Sequence, residues 1–536
     1  MVLHIRKRVL AVVRGKFHAS GINSILAILG ILFLLNRPAA AQSIRLPWSG
    51  YCHDAQHSSQ SAVASQPLSR ILWETPVDLD PQYWTGELLI HYGCPLITRS
   101  NTIIVPVKTG AYGDFQVEAH SATTGAPRWI LTTDYILPAH DWTPGFSPAL
   151  TPKNRLYFPG GGGTVFYCDT PDTTNATPSV GRLAFYGMTN FLAASNTYLN
   201  NVLIDTPIAS DRYGNIYFGF VVTGANPANL SGGLARIGYD GTGSWIAASN
   251  LASDSSMLKV AMNCSPALSQ DHRTVYVAVN DVMPGGNTFS AHGYLVAADA
   301  RTLVPTHHIA LQDPNYPGSP SDVNDDGTSS PTIGPDGDVF YGVLENPIYY
   351  NNDRGWLLHF DANLTTNKFP GAFGWDDTAS VLPASIVPSY HGTSKYLLMT
   401  KYNNYADPPL NGNGVNKIAI LDPSASQIDP VTGGTVMKEV LTIAGPTPDP
   451  KYRNAQHPNA VREWCINTAA VDIFGKCVLA NCEDGNIYRW DLTSNTFTQT
   501  NTLLAGGIGE AYTPTLIGVG GIVYAINNAT LFALGK

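Results

Sequence analysis

The sequence predicts an all-β protein: a single closed β-propeller, of eight blades with four antiparallel strands each, whose last blade is completed by an N-terminal strand. Three observations carry this expectation. A short phrase recurs eight times along the chain, each copy contains turn chemistry suited to tight hairpins, and the final copy stops one strand short while an unassigned strand precedes the first.

The phrase is a small residue with Pro or its equivalent, two or three apolar residues, a polar turn, then an apolar-aromatic strand. It runs Gly93-Cys94-Pro95-Leu96-Ile97 into Ile103-Ile104-Val105, and Ser147-Pro148-Ala149-Leu150 into Leu156-Tyr157-Phe158. It returns as Thr206-Pro207-Ile208-Ala209, Ser265-Pro266-Ala267-Leu268 and Ser330-Pro331-Thr332-Ile333, each followed by an aromatic strand. The sixth copy is weaker, Ala384-Ser385-Ile386-Val387 before Tyr396 to Met399, and lacks the initial Pro. Asn467 to Val471 and Thr513-Pro514-Thr515-Leu516 complete the set. Self-similarity of this kind is the signature of a repeat architecture, in which one closed domain grows by adding modules.

Within the copies, Tyr213-Gly214-Asn215 and Asp336-Gly337-Asp338 supply the positive φ that tight hairpins need. A third strand ends near an Asp, as in Gly293 to Asp299, Trp356 to Asp361 and Gly485 to Asp491. Each copy therefore reads as an up-and-down antiparallel sheet. One such sheet cannot bury both faces, so the copies must stack, and closing the stack into a ring protects the ends. The last copy ends at Leu531 to Leu534, and Arg70 to Val77 is the strand expected to complete it.

The copies resemble the quinoprotein (PQQ-like) repeat. The segment Gly50-Tyr51-Cys52-His53-Asp54-Ala55-Gln56-His57 resembles the Gly-x-His-Asp-Ala-Gln-His phrase that opens many such propellers. The resemblance covers nearly all of the chain beyond residue 41. It is specific for fold and poor for activity, because that superfamily includes alcohol dehydrogenases, assembly scaffolds and proteins of other roles. An active quinoprotein dehydrogenase would, by this resemblance, have an adjacent-cysteine disulfide beside the quinone, a Glu/Asn/Asp calcium set and a catalytic Asp. The sequence has neither a Cys-Cys dipeptide nor Cys-x-x-Cys-His, so PQQ and heme are not expected and the likeness is nearer to the non-catalytic members.

Arg6, Lys7, Arg8, Arg14 and Lys16 precede an apolar run from Ile25 to Leu35, then Pro38 and Ala39-Ala40-Ala41. This predicts a secretory signal peptide over residues 1–41, an entry segment over 42–69 and the propeller over 70–536. The protein is then exported, periplasmic or extracellular, with no stable membrane span after cleavage. Cleavage removes six of the 31 basic residues and none of the 40 acidic ones, leaving 25 against 40, a formal −15. A polyanion would meet net repulsion, so nucleic acid is not an expected partner.

In a propeller, the loops entering each innermost strand gather at one mouth of the central channel. Here they contribute His91, Tyr92, His140, Asp141, Trp142, Asp205, Asn263, Asp325, Trp375, Asp376, Asp377, Arg462, Glu463, Trp464, Glu510 and Tyr512. Carboxylates among Trp, Tyr and His suit a cation, a sugar or a peptide through charge, stacking and hydrogen bonds. The plainer alternative is that the acids are merely solvated and the Trp rings fill gaps between blades. Gly160 to Gly163 lacks the Lys-Ser/Thr of a phosphate loop and reads as a hairpin turn.

Asp322, Asn324 and Asp326 follow the Asp-x-Asn-x-Asp-Gly spacing of a calcium loop, but Ile333 replaces its closing Glu, leaving a partial calcium loop or a plain polar turn. Seven cysteines leave at least one unpaired, and pairing about a turn near Ile473-Phe474 places Cys465 opposite Cys482 as a candidate disulfide, with Cys477 the alternative if a bulge shifts the register. The expected function is binding or scaffolding of a protein, peptide or carbohydrate through the mouth, with no cofactor beyond a candidate calcium. The alternative is an enzyme of the same fold, a quinone-dependent dehydrogenase or a polysaccharide lyase or hydrolase.

Overall fold

The computed structural model describes residues 48–536 apart from 85, 86, 90, 91, 112, 140–144, 287–290, 326, 328 and 505–510, and the side chains of residues 84 and 87. The predicted signal peptide lies outside the described residues. Among the described residues no helix is long and apolar enough to cross a membrane.

Eight antiparallel sheets follow one another in sequence order as the blades of a propeller, beside a two-stranded pairing of Tyr83–Trp84 with Glu87–Leu88. The first runs Leu96–Ile97, Thr102–Gly110, Gly113–Ser121, Pro127–Thr132, and the seventh Ala470–Asp472, Cys477–Asn481, Asn486–Asp491, Thr496–Thr502. Exposure grades outward within a blade. The second strand of blade four, Thr274–Asn280, is buried at every residue after Thr274, because neighbouring blades cover both its faces. The outermost strand of blade seven alternates exposed and half-buried residues, since one face packs and the other is wet.

Hairpins between first and second strands close where the sequence allows left-handed backbone. Gly214 and Gly337 take φ of 89° and 95°, as expected, and Asn101, Asn154 and His272 do the same work in blades one, two and four. In each of these turns an N–H reaches back to the carbonyl three residues earlier, as Gly337 does to Gly334 at 2.9 Å.

Two copies differ from the sequence reading. In blade six the innermost strand is Ser380–Pro383, and Ala384–Ile386 is a 3-10 turn. The weak sixth phrase was therefore the turn after the strand, which is why it lacked the initial Pro. Blade five has three regular strands, Thr332–Ile333, Val339–Val343 and Trp356–Phe360, with its outer position held by isolated bridges from Leu357 to Gly371 and Phe360 to Asn367.

The ring is closed twice over. Arg70–Pro76 pairs antiparallel with Thr530–Gly535 and completes blade eight. At the entry to the innermost strands, hydrogen bonds join every adjacent pair of blades. Cys94 N donates to Ser147 Oγ and Ile208 N to the Ser147 carbonyl. Asn263 N donates to Asp205 O, Ser265 N to Ser330 Oγ, and Ser330 N to Thr378 Oγ1. Thr378 N donates to Asn467 O, Thr515 N to Thr468 O, and Thr513 Oγ1 to Tyr92 O, which returns to blade one. The small polar residues that open each phrase are thus the ring's inner seam.

The entry segment has a role that its sequence did not disclose: it plugs the channel. Its carbonyls accept from the far ends of the innermost strands in blade order, Trp48 O from Ile97 N, Ser49 O from Leu150 N, Ala55 O from Leu268 N and Gln56 O from Ile333 N. Ser58 O, Ser59 O and Gln66 N continue to Val381 N, Val471 N and Gly521 O. The buried Tyr51 hydroxyl donates upward to Asn467 Oδ1 on the inner seam. Tyr51→Phe should lower stability by about 1–3 kcal/mol, because buried groups on the seam lose a partner; urea unfolding with an unchanged m-value would register it.

Candidate functional site

With the plug at one end, the opposite mouth carries the loops singled out from sequence. The structure divides them into buried and reachable groups. Tyr92 is buried and donates its hydroxyl to Asp78 Oδ2 at 2.8 Å. Trp464 is fully buried, against Tyr488 and Phe497 at 5.5 and 5.8 Å between ring centroids. Asp376 and Asp377 are buried as well, whereas Trp375, Arg462, Glu463 and Tyr512 keep partial exposure. His91, His140, Asp141, Trp142 and Glu510 lie outside the described residues.

Three buried lysines organise this end, and sequence reading missed all of them. Lys108 Nζ meets Asp78 Oδ1 at 2.9 Å and donates to the carbonyls of Asp80, Gly110 and Ala111. Lys259 Nζ meets Asp325 Oδ1 at 2.6 Å and donates to Asn280 Oδ1 at 3.0 Å. Lys401 pairs with Asp376, and its ammonium lies 5.1 Å from the Tyr512 ring centroid and 5.7 Å from that of Phe373. The available signal was a lysine ending an apolar strand, as in Val105-Pro106-Val107-Lys108 and Leu398-Met399-Thr400-Lys401. A charge in such a place is kept only if paired.

The lysines do not neutralise every acid. Asp205 is fully buried with neither carboxylate oxygen hydrogen-bonded, and burial holds its carboxyl well above the usual range, with Lys259 offsetting and Asp325 adding to the shift. Burial pushes Asp377 up to about 8, partly offset by Lys401, and its Oδ2 has no partner. Burial and the neighbouring Glu483 raise Glu463 well above its ordinary value.

Asp205, Asn263 and Asp325 form a carboxylate-amide-carboxylate set on successive blades, the donor chemistry that a quinoprotein calcium would use. They do not fit one as they stand. The Lys259 ammonium bonds Asp325 Oδ1, which also accepts from Met262 N at 2.9 Å and Asn280 Nδ2 at 2.9 Å. A divalent ion beside that oxygen would face the fixed positive charge of Lys259. No two cysteines are adjacent in the sequence.

At the candidate calcium positions, Asp322 Oδ1 accepts from Ala291 N at 3.0 Å, and Asn324 lines a small pocket with Asp322 and Asp376. Asp326 lies outside the described residues.

The cysteine geometry needs correction. None of the seven cysteines is in a disulfide, and all are buried. In blade seven Asp472 pairs with Cys477, so the turn is centred one residue later than expected. That shift moves each expected partner by two positions, and the paired register ends at Ala470 with Leu479, before either Cys465 or Cys482 is reached. Cys482 Sγ points to Glu463 O at 3.2 Å and Cys465 Sγ to Glu483 Oε2 at 3.6 Å.

Solved structures with similar coordinates include a europium-containing methanol dehydrogenase, at a TM-score of 0.52 and 9% identity over 90% of this chain and 89% of that one. The quinohemoprotein alcohol dehydrogenase from Comamonas testosteroni gives a TM-score of 0.52 and 11% identity, over 92% and 82%. The chain shares the β-propeller fold of these two structures. BamB from Moraxella catarrhalis is also similar, at 10% identity and a TM-score of 0.41, over 87% and 97%. No family model matches the sequence, and no curated protein matches it. At such identities the likeness concerns the fold, and activity has to be argued from the site.

Proposed function

We propose that the chain is an exported binding propeller that takes a cationic peptide segment across its mouth. The observation that carries this reading is the arrangement of Trp375 and Tyr512. Both keep partial exposure, and the Lys401–Asp376 pair beside Tyr512 and next to Trp375 in sequence is buried. Aromatic rings of this kind offer stacking and cation-π contact to a Lys or Arg side chain, while the surplus of acids favours positive charge. The buried charged groups are spent on holding loops in place, which suits a rigid recognition surface.

Titrating the purified protein with a lysine- and arginine-rich peptide pool and with a neutral oligosaccharide pool tests the proposal by tryptophan fluorescence and calorimetry. Peptide binding that weakens by about tenfold or more in Trp375→Ala and Tyr512→Ala, with unfolding unchanged, is the expected result. Preference for the oligosaccharides, or binding indifferent to both substitutions, would overturn it. Cleavage of a polysaccharide, or dye-linked alcohol oxidation after addition of PQQ and calcium, would replace binding by catalysis.

A further inference from the structure

We infer that Glu463, Cys465 and Glu483 form a binding site for a borderline divalent cation such as zinc, at the mouth edge of blade seven and independent of the ligand proposed above. Glu463 and Cys465 stand two residues apart on the segment entering the innermost strand. Glu483 follows the second strand of the same blade. The blade's hairpin brings them together, so that one donor atom from each lies within 4.8 Å of the other two. Cys465 Sγ and Glu483 Oε2 are 3.6 Å apart. That is close to the edge of about 3.5 Å expected for a tetrahedron with Zn–S near 2.3 Å and Zn–O near 2.0–2.2 Å.

Position and charge point the same way. Glu463 also lines a small pocket with Asp407, Asp449, Tyr405 and Tyr452, whose space of about 10 Å³ is that of a single water at Glu463. Beside the four carboxyl groups of Asp407, Asp449, Glu463 and Glu483 stands the guanidinium of Arg462. Its Nη1 is 3.9 Å from Asp449 Oδ1 and 3.7 Å from Glu483 Oε1, beyond the length of a charge-assisted hydrogen bond. Lys401, itself paired with Asp376, also draws on Glu463, so the four carboxyl groups face two cations. A thiolate among two carboxylates selects zinc or cobalt over calcium, which takes oxygen alone. Loading releases the thiol proton and any proton on Glu463, so affinity rises with pH.

Cobalt reports on this site directly. The full-length mature protein, stripped with a chelator and titrated with Co²⁺, should bind one equivalent with a thiolate-to-cobalt charge-transfer band and tetrahedral visible bands, and Zn²⁺ should displace both. Cys465→Ser should abolish the charge-transfer band, and Glu483→Gln should weaken Co²⁺ binding by about 10-fold or more. Cys477→Ser, in the same blade, should leave the band in place. If Cys465→Ser does not fold, Glu463→Gln supplies the second measurement, with the same expected weakening. Failure of the wild-type protein to take up an equivalent of Co²⁺, or a charge-transfer band that survives Cys465→Ser, would overturn the assignment.

Discussion

Replacing Lys259 by Met is expected to lower stability by about 3–5 kcal/mol, the usual cost of leaving one member of a buried ion pair behind. Lys259 is 0% exposed and Asp325 is 3% exposed, so water cannot take over the lost contacts. Asp325 would retain Met262 N–H and the Asn280 amide as donors, while Asp205, close by, offers it no compensation. The double variant Lys259→Met/Asp325→Asn should recover most of the loss, because the amide oxygen keeps an acceptor at that position without the charge. Chemical denaturation of the two variants and the wild type decides the matter. A single-variant loss below about 1 kcal/mol would mean that the pair is hydrated and that Lys259 does not organise the mouth.

Asp377→Asn should remove a downward slope in stability between about pH 4 and 8. Asp377 is 1% exposed, and burial raises its folded-state value to about 8, against roughly 3.9 in the unfolded chain. Between those values the folded state holds a proton that the unfolded state has released, so stability declines as pH rises. Below about 4 both states are protonated and above about 8 both are ionised, so the contribution is fully present at the acid end and lost once pH passes 8. The slope for one group is at most about 1.4 kcal/mol per pH unit. Comparing unfolding free energies of wild type and Asp377→Asn from pH 4 to 8 reads it directly. Parallel curves would show that Asp377 titrates normally.

Much of the ring was legible because its signals are local. A Ser-Pro or Thr-Pro opening followed by two apolar residues marks an innermost strand whatever lies elsewhere in the chain, and Asp-Gly marks the hairpin after it. Where the opening was missing, in blade six, the reading settled on Ala384–Ile386, a turn just after the real strand. In blade seven a turn one residue out of place was enough to shift every expected cross-strand pair by two positions.

The mouth was half legible. Its loops could be located by counting from the innermost strands, but burial could not. Trp375 and Trp464 look alike in sequence, yet Trp375 keeps partial exposure and Trp464 is fully buried against Tyr488 and Phe497. Which of two tryptophans is covered depends on the blade beside it, and that neighbour can be tens of residues away.

The sequence by itself determined the repeat, its hairpins and the strand from Arg70 that closes blade eight, because these follow from periodicity and turn chemistry within short windows. Only the tertiary structure decided that residues 48–66 plug the channel, that Lys108, Lys259 and Lys401 are paired in the interior, and that Glu463, Cys465 and Glu483 converge. Each of these depends on contacts between groups brought together by ring closure or by hairpin register. In a ring, residue 56 and residue 333 become neighbours through the closure of the whole, which no local pattern encodes.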